Sequence, residues 1–402
     1  MAEIVPIGAK ARPASPYDPA VLTHLLADFD STAAQRDAAG GTAKRERDLL
    51  RASGLLALSI PEDLGGLGGD IADALDVTRK IAAVDSALAH LFSFHHFQLA
   101  TLRFYGPRAQ WAPLLEATAR NRWFWGNALN PLDKNTQITP GPEMGEYRVN
   151  GTKTFCSGAT DSDMLVVSAL RPTRPGLVVA AIPTLREGVL VHDDWDNIGQ
   201  RQTDSGRVSF KDVLVLDEEI LREPGPLGSP FAALRSCLGQ LILAHIYVGL
   251  AEGALAHAVQ HLDPEGPAWL SSEAKTVGQD AYILRHFGDY SVQAAGAGAL
   301  VDLARQQFQV AFRLDDDVDE QTRGQVALAV AKAKVASSRA ALDVTGRMFE
   351  VLGARATAGK LRLDRFWRNA RVHTLHDPLD YKLRELGDHV LNGRLPTPSF
   401  YS

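Results

Sequence analysis

A short segment near the end of the chain concentrates side chains that can move protons. The stretch HTLHDP places His373 three residues before His376, and Asp377 follows directly. Histidine gains and loses protons near neutral pH, and a carboxylate can act as a general base. The segment therefore predicts acid–base chemistry at this position.

The same residues also have the composition of a metal site. Together with His90 or His95 they would supply two imidazoles and one carboxylate, a set that binds divalent iron. However, Pro378 interrupts the local helix, and no second ligand motif follows. The sequence therefore predicts no metal.

Three common nucleotide and nucleophile motifs are missing from the sequence. No GxGxxG run follows a predicted strand, and there is neither a P-loop nor a nucleophile elbow. The glycine-rich run GGLGGD falls in a predicted turn between helices. We therefore expect NADH to be oxidised on another protein.

Composition and charge narrow the class of protein. The chain has 402 residues, of which 45% are apolar and 22% charged, and its net charge is 42 − 48 = −6. These values exclude a disordered chain and argue against a nucleic-acid partner. The two cysteines, Cys156 and Cys237, cannot form a disulfide framework, which favours the cytoplasm.

Neither the N-terminal segment nor the most apolar stretch predicts membrane targeting. The first twenty residues lack the apolar core of a signal peptide. The most apolar stretch, residues 241–259, contains His245, Glu252 and His257, and is predicted to be a buried helix, so no membrane contact is expected.

The elements that must position the reactive residues fall into three segments. Residues up to about 120 show helical periodicity. Residues 121–221 contain short alternating runs typical of strands, with Asn150-Gly151 predicted as a tight hairpin turn. From about residue 222 onward, three long alanine-rich helices indicate a bundle.

This order of segments resembles the acyl-CoA dehydrogenase superfamily, and several motifs match in sequence. They are IPEDLGGLGGD, NGTKTFCSGA, DNIGQRQTDSGRVSFKDVLV and DRFWRNARVHTLHDP. The resemblance implies an α+β, mainly α fold, with an N-terminal helical domain (1–120), a central β-barrel domain (121–221) and a C-terminal four-helix bundle (222–402). The motifs HLFSFH, FCSGA and RFWRNARVHTLHDP are similar to the flavin-dependent dibenzothiophene monooxygenase branch.

Membership of that branch implies a two-component monooxygenase. It would take FMNH2 (FAD is the alternative) from a separate NADH:flavin reductase and react it with O2 to a C4a-hydroperoxide. One oxygen atom would then enter a small apolar aromatic or sulfur-containing substrate, with S-oxygenation favoured. A homotetramer is also implied.

The resemblance assigns roles residue by residue. Catalytic roles fall on His90, Ser157, His373, His376 and Asp377. Flavin contacts fall on Asn127, Ser157, Trp195, Arg355 and His376. The substrate pocket would include Phe94, His95 and Trp195.

Two positions depart from the pattern of the branch. Relatives carry an arginine shortly before a Pro-Trp pair, whereas this chain has Pro267 and Ala268 before Trp269, so Arg285 is a candidate substitute for binding the flavin phosphate. Phe94 stands where relatives have tyrosine, which implies a more apolar pocket.

Two alternatives remain open from sequence. The first is an acyl-CoA dehydrogenase or oxidase with bound FAD and Asp377 as the base that removes an α-proton. The second is a flavin-free binding protein that has kept the fold.

Overall fold

The computed structural model describes residues 15–172 and 174–402. The prediction that no signal peptide is present concerns the first twenty residues, fourteen of which lie outside this described part. Within it, helices flank a β domain on both sides, as the periodicity of the sequence predicts.

The N-terminal helices pack around a core of leucine, isoleucine and phenylalanine side chains. Asp85 begins the fourth helix, because its carboxylate accepts the backbone N–H groups of Ala87 and Leu88. That helix is buried along nearly its whole length and carries His90. The helix bounds are α1 Pro19–Ala39, α2 Lys44–Ser53, α3 Ile71–Val84, α4 Ser86–Tyr105 and α5 Arg108–Asn121.

The central segment forms one eight-stranded sheet. The strands run in the order β6-β7-β3-β2-β4-β5-β8, and β1 pairs in parallel with β4. The bounds are β1 Trp125–Ala128, β2 Gln137–Pro140, β3 Glu146–Lys153, β4 Met164–Arg171, β5 Arg174–Pro183, β6 Val189–Val191, β7 Val208–Leu216 and β8 Ile220–Leu221. Val, Ile and Ala side chains from these strands form a second, smaller core.

The predicted hairpin turn at Asn150-Gly151 is wrong. Both residues lie inside β3, where the pairing with β7 shifts register between Val149 and Gly151. The φ angle of Gly151 is 131°, and a Cβ there would lie 2.4 Å from the carbonyl oxygen of Asn135. The glycine therefore permits a bulge and a close backbone approach rather than a chain reversal.

The C-terminal segment contains the three long helices that the alanine-rich periodicity predicts. They are α6 Pro230–His261, α7 Ala281–Leu314 and α8 Glu320–Leu352, followed by α9 Asp364–His373 and α10 Leu379–Asn392. Helix α6 is long and apolar enough to cross a membrane, yet most of its most apolar part is buried inside the protein. This agrees with the prediction of a buried core helix.

Candidate active site

A cavity of about 460 Å3 lies between the helices and the β domain. Helices α4 and α6, and α9 with the turn that follows it, supply one part of its lining. The rest comes from β1, the segments after β1, β3 and β6, and the C-terminal residues Phe400 and Tyr401. Seven of the residues assigned a role by resemblance line it: His90, Phe94, Asn127, Ser157, Trp195, His373 and His376. Three distant parts of the sequence thus meet at one site.

Helical spacing selects which residues of α4 reach the cavity. His90, Phe94 and Phe97 line it, since residues four and three apart share one helix face. His95 points elsewhere: its Nε2 lies 2.8 Å from the Leu56 carbonyl oxygen, and its Nδ1 accepts the Trp125 backbone N–H. The structure therefore corrects the pocket role predicted for His95, which instead satisfies buried backbone groups.

The turn after β3 fixes the position of Ser157. Phe155 and Gly158 have positive φ angles of 56° and 72°. The Ser157 carbonyl accepts the Asn127 backbone N–H at 3.0 Å, and the Gly158 N–H donates to the Thr203 carbonyl at 2.9 Å. The serine is thus held between β1 and the segment before β7.

A chain of hydrogen bonds links the histidines to this serine. His373 Nε2 lies 3.1 Å from His90 Nδ1, and His90 Nε2 lies 2.8 Å from Ser157 Oγ. Ser157 Oγ in turn lies 2.8 Å from Ser205 Oγ. All four side chains are buried. This series of hydrogen bonds therefore connects the N-terminal helices, the β domain and α9.

The hydrogen bonds at the Thr203 end of this network determine which group donates and which accepts in each of the others. The Gln200 carbonyl oxygen, 3.0 Å from Thr203 Oγ1, can only accept, so the threonine hydroxyl must donate to it. With its single proton used there, Thr203 accepts from Ser205 at 2.7 Å, and Ser205 accepts from Ser157. It follows that Ser157 accepts from His90 Nε2–H, and that His90 Nδ1 accepts from His373 Nε2–H. The network thus assigns one tautomer to each imidazole.

Burial keeps both of these histidines neutral. Desolvation lowers the pKa of His90 to about 3, and repulsion from His376 adds to this. Desolvation also holds the pKa of His373 well below its ordinary value, with further repulsion from His90 and His376. These two imidazoles therefore act as neutral hydrogen-bonding groups at pH 7.

His376 has different surroundings. Its side chain is 40% exposed, and its Nδ1 donates to Asp377 Oδ1 at 3.0 Å. Nε2 has no hydrogen-bond partner within the described part of the chain. Among the cavity histidines, His376 is thus the one that combines exposure with a carboxylate partner.

Asp377 lies behind His376 and does not line the cavity. The buried Lys334 of α8 donates to its Oδ1 at 2.9 Å, and Gln240 of α6 donates to the same oxygen at 3.3 Å. Burial raises the pKa of Asp377, but the His376 hydrogen bond and the Lys334 charge outweigh it and hold the pKa well below its usual value. A carboxylate with so low a pKa is a weak base.

The β-domain side of the cavity has groups suited to a flavin ring. The Asn127 amide makes only long contacts within the protein, the shortest being 3.2 Å to the Leu129 N–H. Gln200 Oε1 and His373 Nδ1 are buried without a hydrogen-bond partner among the described residues. The N–H and carbonyl edge of an isoalloxazine would satisfy such groups, and Trp195 adds an aromatic wall. The residues present therefore fit a flavin.

The residues predicted for the flavin phosphate do not lie at the cavity. Arg355 is exposed in a short turn after α8, and Arg285 is exposed near the start of α7. Trp269, next to the position of the missing arginine, is also exposed. Within one chain, the structure does not bring these three residues to the site, so the phosphate role of Arg355 stays a prediction that requires a neighbouring copy.

Sequence reasoning missed several residues that line or support the cavity. The missed lining residues are Gln200, Thr203, Ser205, Arg235, Gln240, Phe400 and Tyr401. A signal existed for Arg235 and Gln240, because each is a polar residue in the apolar helix α6. Lys334, behind the cavity, gives no such signal, because α8 carries several other charged residues.

Comparison with known proteins identifies the family. The models of the acyl-CoA dehydrogenase N-terminal, middle and C-terminal domains match residues 26–122, 130–213 and 241–381. The chain belongs to the acyl-CoA dehydrogenase family. This confirms the predicted family and fold.

Several proteins that resemble it strongly are monooxygenases. It is 48% identical over 99% of both chains to SfnC of Pseudomonas putida, named a probable FMNH2-dependent monooxygenase. It is 40% identical, over 95% of both chains, to a dibenzothiophene monooxygenase of Mycolicibacterium goodii. The methanesulfinate monooxygenase MsuC of Pseudomonas fluorescens superimposes with a TM-score of 0.94 and 49% identity, covering 96% of this chain and 100% of that one. The predicted monooxygenase branch is thereby confirmed.

Proposed function

We propose that the protein is a reduced-flavin-dependent monooxygenase that adds one oxygen atom to the sulfur of a small molecule. The supporting observation is the buried chain from His373 through His90 to Ser157, beside a partly exposed His376, in one cavity. The cofactor is FMN, as in the name of the SfnC relative. When bound, reduced FMN with O2 supplies the oxygen atom, and the second oxygen leaves as water.

The protein's own residues orient the ring and manage protons. Ser157, held between β1 and the segment before β7, offers its hydroxyl oxygen at a fixed position. Asn127 and Gln200 bind the polar edge of the ring. Asp377 holds the Nδ1–H of His376, which leaves Nε2 as the atom for proton transfer. Phe94 and Trp195 exclude water from the reacting atoms.

The geometry disfavours the dehydrogenase alternative. A base that removes an α-proton must reach the substrate. Asp377 instead lies behind His376, paired with Lys334. Its carboxylate is thus used to hold other residues rather than to contact an acyl thioester.

The enzyme works in the cytoplasm with a flavin reductase and with further copies of itself. A separate NADH:flavin reductase delivers the reduced flavin, as expected for enzymes of the FMNH2-dependent type. The enzyme works in the cytoplasm, where Cys156 and Cys237, both free and buried, would remain reduced. A homotetramer would account for the exposed Arg355, which could then contact a flavin in a neighbouring copy.

A stripe of exposed apolar side chains on α7 supports self-association. Its members lie on one helix face: Val292, Leu300, Leu303, Val310 and Leu314. Light scattering should give four copies for the purified protein, and the double change Val292→Asp and Val310→Asp should release smaller species. A monomer at micromolar concentration would contradict this part of the proposal.

One reconstitution tests the activity. The protein is mixed with a flavin reductase, NADH, FMN and 18O2, and small sulfur compounds are screened by mass spectrometry. Gain of one 18O atom, absent when this protein is omitted, supports the proposal. Bleaching of a tightly bound FAD by an acyl-CoA without oxygen gain would support the dehydrogenase instead. No affinity for oxidised or reduced flavin would support the flavin-free alternative.

A further inference from the structure

Arg47 of α2 does not line the cavity, but it contacts both segments that carry the hydroxyl groups of the site. Its side chain is fully buried. Nη2 donates to the Gly158 carbonyl oxygen at 3.0 Å, and Nη1 donates to Asp204 Oδ2 at 2.9 Å. Gly158 directly follows Ser157 in the chain, and Asp204 directly precedes Ser205. One guanidinium therefore joins the two turns from which the hydrogen-bonded hydroxyl groups project.

These two turns have little regular structure to hold them together. Neither is part of a strand, and one backbone hydrogen bond joins the Gly158 N–H to the Thr203 carbonyl oxygen at 2.9 Å. Asp204 has a φ angle of 46°, in the left-handed region where residues other than glycine are uncommon. Such a conformation persists where the surrounding contacts hold it in place. For Asp204 these contacts come from Arg47 and from Thr42 Oγ1, which donates to its Oδ1 at 2.8 Å.

The burial of both charges favours a geometric role for this ion pair. The side chains of Arg47 and Asp204 are at most 3% exposed. Burial lowers the pKa of Arg47 and raises that of Asp204, and the attraction between the two charges opposes both shifts. A buried ion pair adds little stability compared with apolar side chains of similar volume. The planar guanidinium, in contrast, presents its N–H groups in fixed directions and so holds two acceptors in one arrangement.

We propose that Arg47 is a positioning residue that holds Ser157 against Ser205. It acts through the Gly158 carbonyl and the Asp204 carboxylate. This rests on the proposed function, in which the Ser157 hydroxyl contacts the flavin ring. A shift of either turn would lengthen the 2.8 Å contact between the two serine hydroxyl oxygens. Because small displacements of such groups slow a reaction greatly, Arg47 affects the chemistry without touching the flavin or the substrate.

The alternative is that Arg47 only attaches α2 to the β domain, and Arg51 provides the comparison. Arg51 lies one turn further along α2 and donates to Asp161 Oδ2 at 2.7 Å and to the Asp161 carbonyl oxygen at 2.6 Å. Arg47 also pairs with Asp161, through Nε at 3.2 Å. Both guanidinium groups lie over the Phe124 ring, 4.2 and 5.7 Å from its centroid. The two arginines thus share these contacts, and only Arg47 reaches Gly158 and the residue before Ser205.

Two variants remove the bridge and keep the charges balanced. Arg47→Lys retains a positive charge for the Asp204 carboxylate, but a single ammonium group lacks the fork that spans two acceptors. The double variant Arg47→Met with Asp204→Asn removes both charges, and asparagine tolerates the left-handed backbone at position 204. Urea unfolding identifies which of them are folded in the assay buffer. The same result is expected for either, so the double variant replaces Arg47→Lys if lysine disturbs the fold.

The measurement uses reduced FMN and O2 alone, which give oxidised FMN and hydrogen peroxide. Reduced FMN is first bound anaerobically by excess protein and then mixed with aerated buffer, and the release of peroxide is followed over time. The unmodified protein should release peroxide more slowly than free reduced FMN, because its cavity excludes water from the flavin. Arg47→Lys should release peroxide roughly 10-fold faster than the unmodified protein. Arg51→Met, the matched control, should behave like the unmodified protein.

A double-mutant cycle tests whether Arg47 acts through Ser157. In the Ser157→Ala background the hydroxyl group that Arg47 positions is absent, so Arg47→Lys should change the peroxide rate by less than about 2-fold. A merely structural role would give the same change in both backgrounds. Equal changes would therefore overturn the inference, as would an unchanged peroxide rate in the folded Arg47 variants.

The outcomes separate this inference from the proposed function. If the unmodified protein releases peroxide as fast as free reduced FMN does, the proposed use of reduced flavin is wrong. If release is slow in the unmodified protein and Arg47→Lys and Arg51→Met accelerate it equally, the inference is wrong and the proposed function stands.

Discussion

His373 donates through Nε2 to Nδ1 of His90, 3.1 Å away, and this bond joins α9 to α4 across 283 positions of sequence. Because both imidazoles are buried and neutral, the contact positions His90 against Ser157 rather than carrying charge. Proton transfer instead falls to His376, which is exposed to the cavity and hydrogen-bonded to Asp377. This division of roles leads to separate predictions for the histidines and the serine.

His376→Ala should uncouple NADH oxidation from oxygenation. Without the proton donor at Nε2, product formation should fall by roughly 100-fold, while NADH is still consumed and hydrogen peroxide accumulates. The measurement is product and peroxide per NADH in the reductase-coupled assay. His24→Ala, at an exposed position of α1, is the control. Unchanged coupling would show that His376 does not handle the proton.

Ser157→Ala should interrupt the hydrogen-bond series between His90 and Ser205. It leaves the buried His90 Nε2–H without an acceptor, which costs about 1–3 kcal/mol, while Ser205 loses one contact and keeps its bond to Thr203. Product formation should fall by roughly 10–100-fold, since the ring contact is also lost. Ser157→Thr keeps the hydroxyl and should restore part of the activity.

The neighbouring Cys156 supplies the control for this serine. Cys156 is fully buried, packs in the core of the sheet and does not line the cavity. Cys156→Ala should therefore lower stability without changing the ratio of product to NADH. If it affects that ratio as strongly as Ser157→Ala, the serine effect is structural.

Much of this architecture is visible in the sequence. The periodicity predicts the long helices, and the match of the HTLHDP segment predicts the histidines. The sequence shows that His90, Phe94 and Phe97 share one helix face, but α4 is buried on nearly all sides. Nothing in its pattern therefore tells which face meets the cavity, and the resemblance places His95 on the wrong face.

The missing parts depend on contacts between distant segments. Within residues 15–172 and 174–402, no carboxylate forms an ion pair with the buried Arg235. This is a property of the packed structure, since no sequence pattern reports an absent partner. Asn150-Gly151 fails as a turn for a similar reason. The glycine is required by the backbone of Asn135, which lies on another segment. Local sequence signals identify unusual residues but not the contact that makes them necessary.

Lys334→Met should destabilise the protein strongly. It would leave the Asp377 carboxylate, which is 8% exposed, with only His376 and Gln240 as partners. Breaking a buried pair typically costs about 3–5 kcal/mol, which urea unfolding at pH 7 can measure. Adding Asp377→Asn removes the stranded charge and should recover part of the loss. Equal stability of the single and double variants would argue against an ion pair.

Stability should fall steeply as the pH is lowered from 6.5 to 5.5. Burial lowers the pKa of His90 to about 3 and that of His95 to about 4, and holds the pKa of His96, His245 and His373 well below its ordinary value. In the unfolded chain these histidines take up protons near pH 6.5, whereas the folded state does not. Each therefore removes about 1.4 kcal/mol of unfolding free energy per pH unit below that point.

The variant His245→Leu isolates one of these histidines. Both ring nitrogens of His245 are buried without a hydrogen-bond partner in the described part of the chain, and the residue lies in the apolar helix α6. Leucine should therefore leave stability at pH 7.5 unchanged or higher. The slope of unfolding free energy against pH, measured by urea titration at pH 7.5, 6.5 and 5.5, should decrease by about 1.4 kcal/mol per pH unit, which corresponds to one proton fewer taken up on unfolding. An unchanged slope would mean that His245 is already protonated in the folded protein, against the effect expected from its burial.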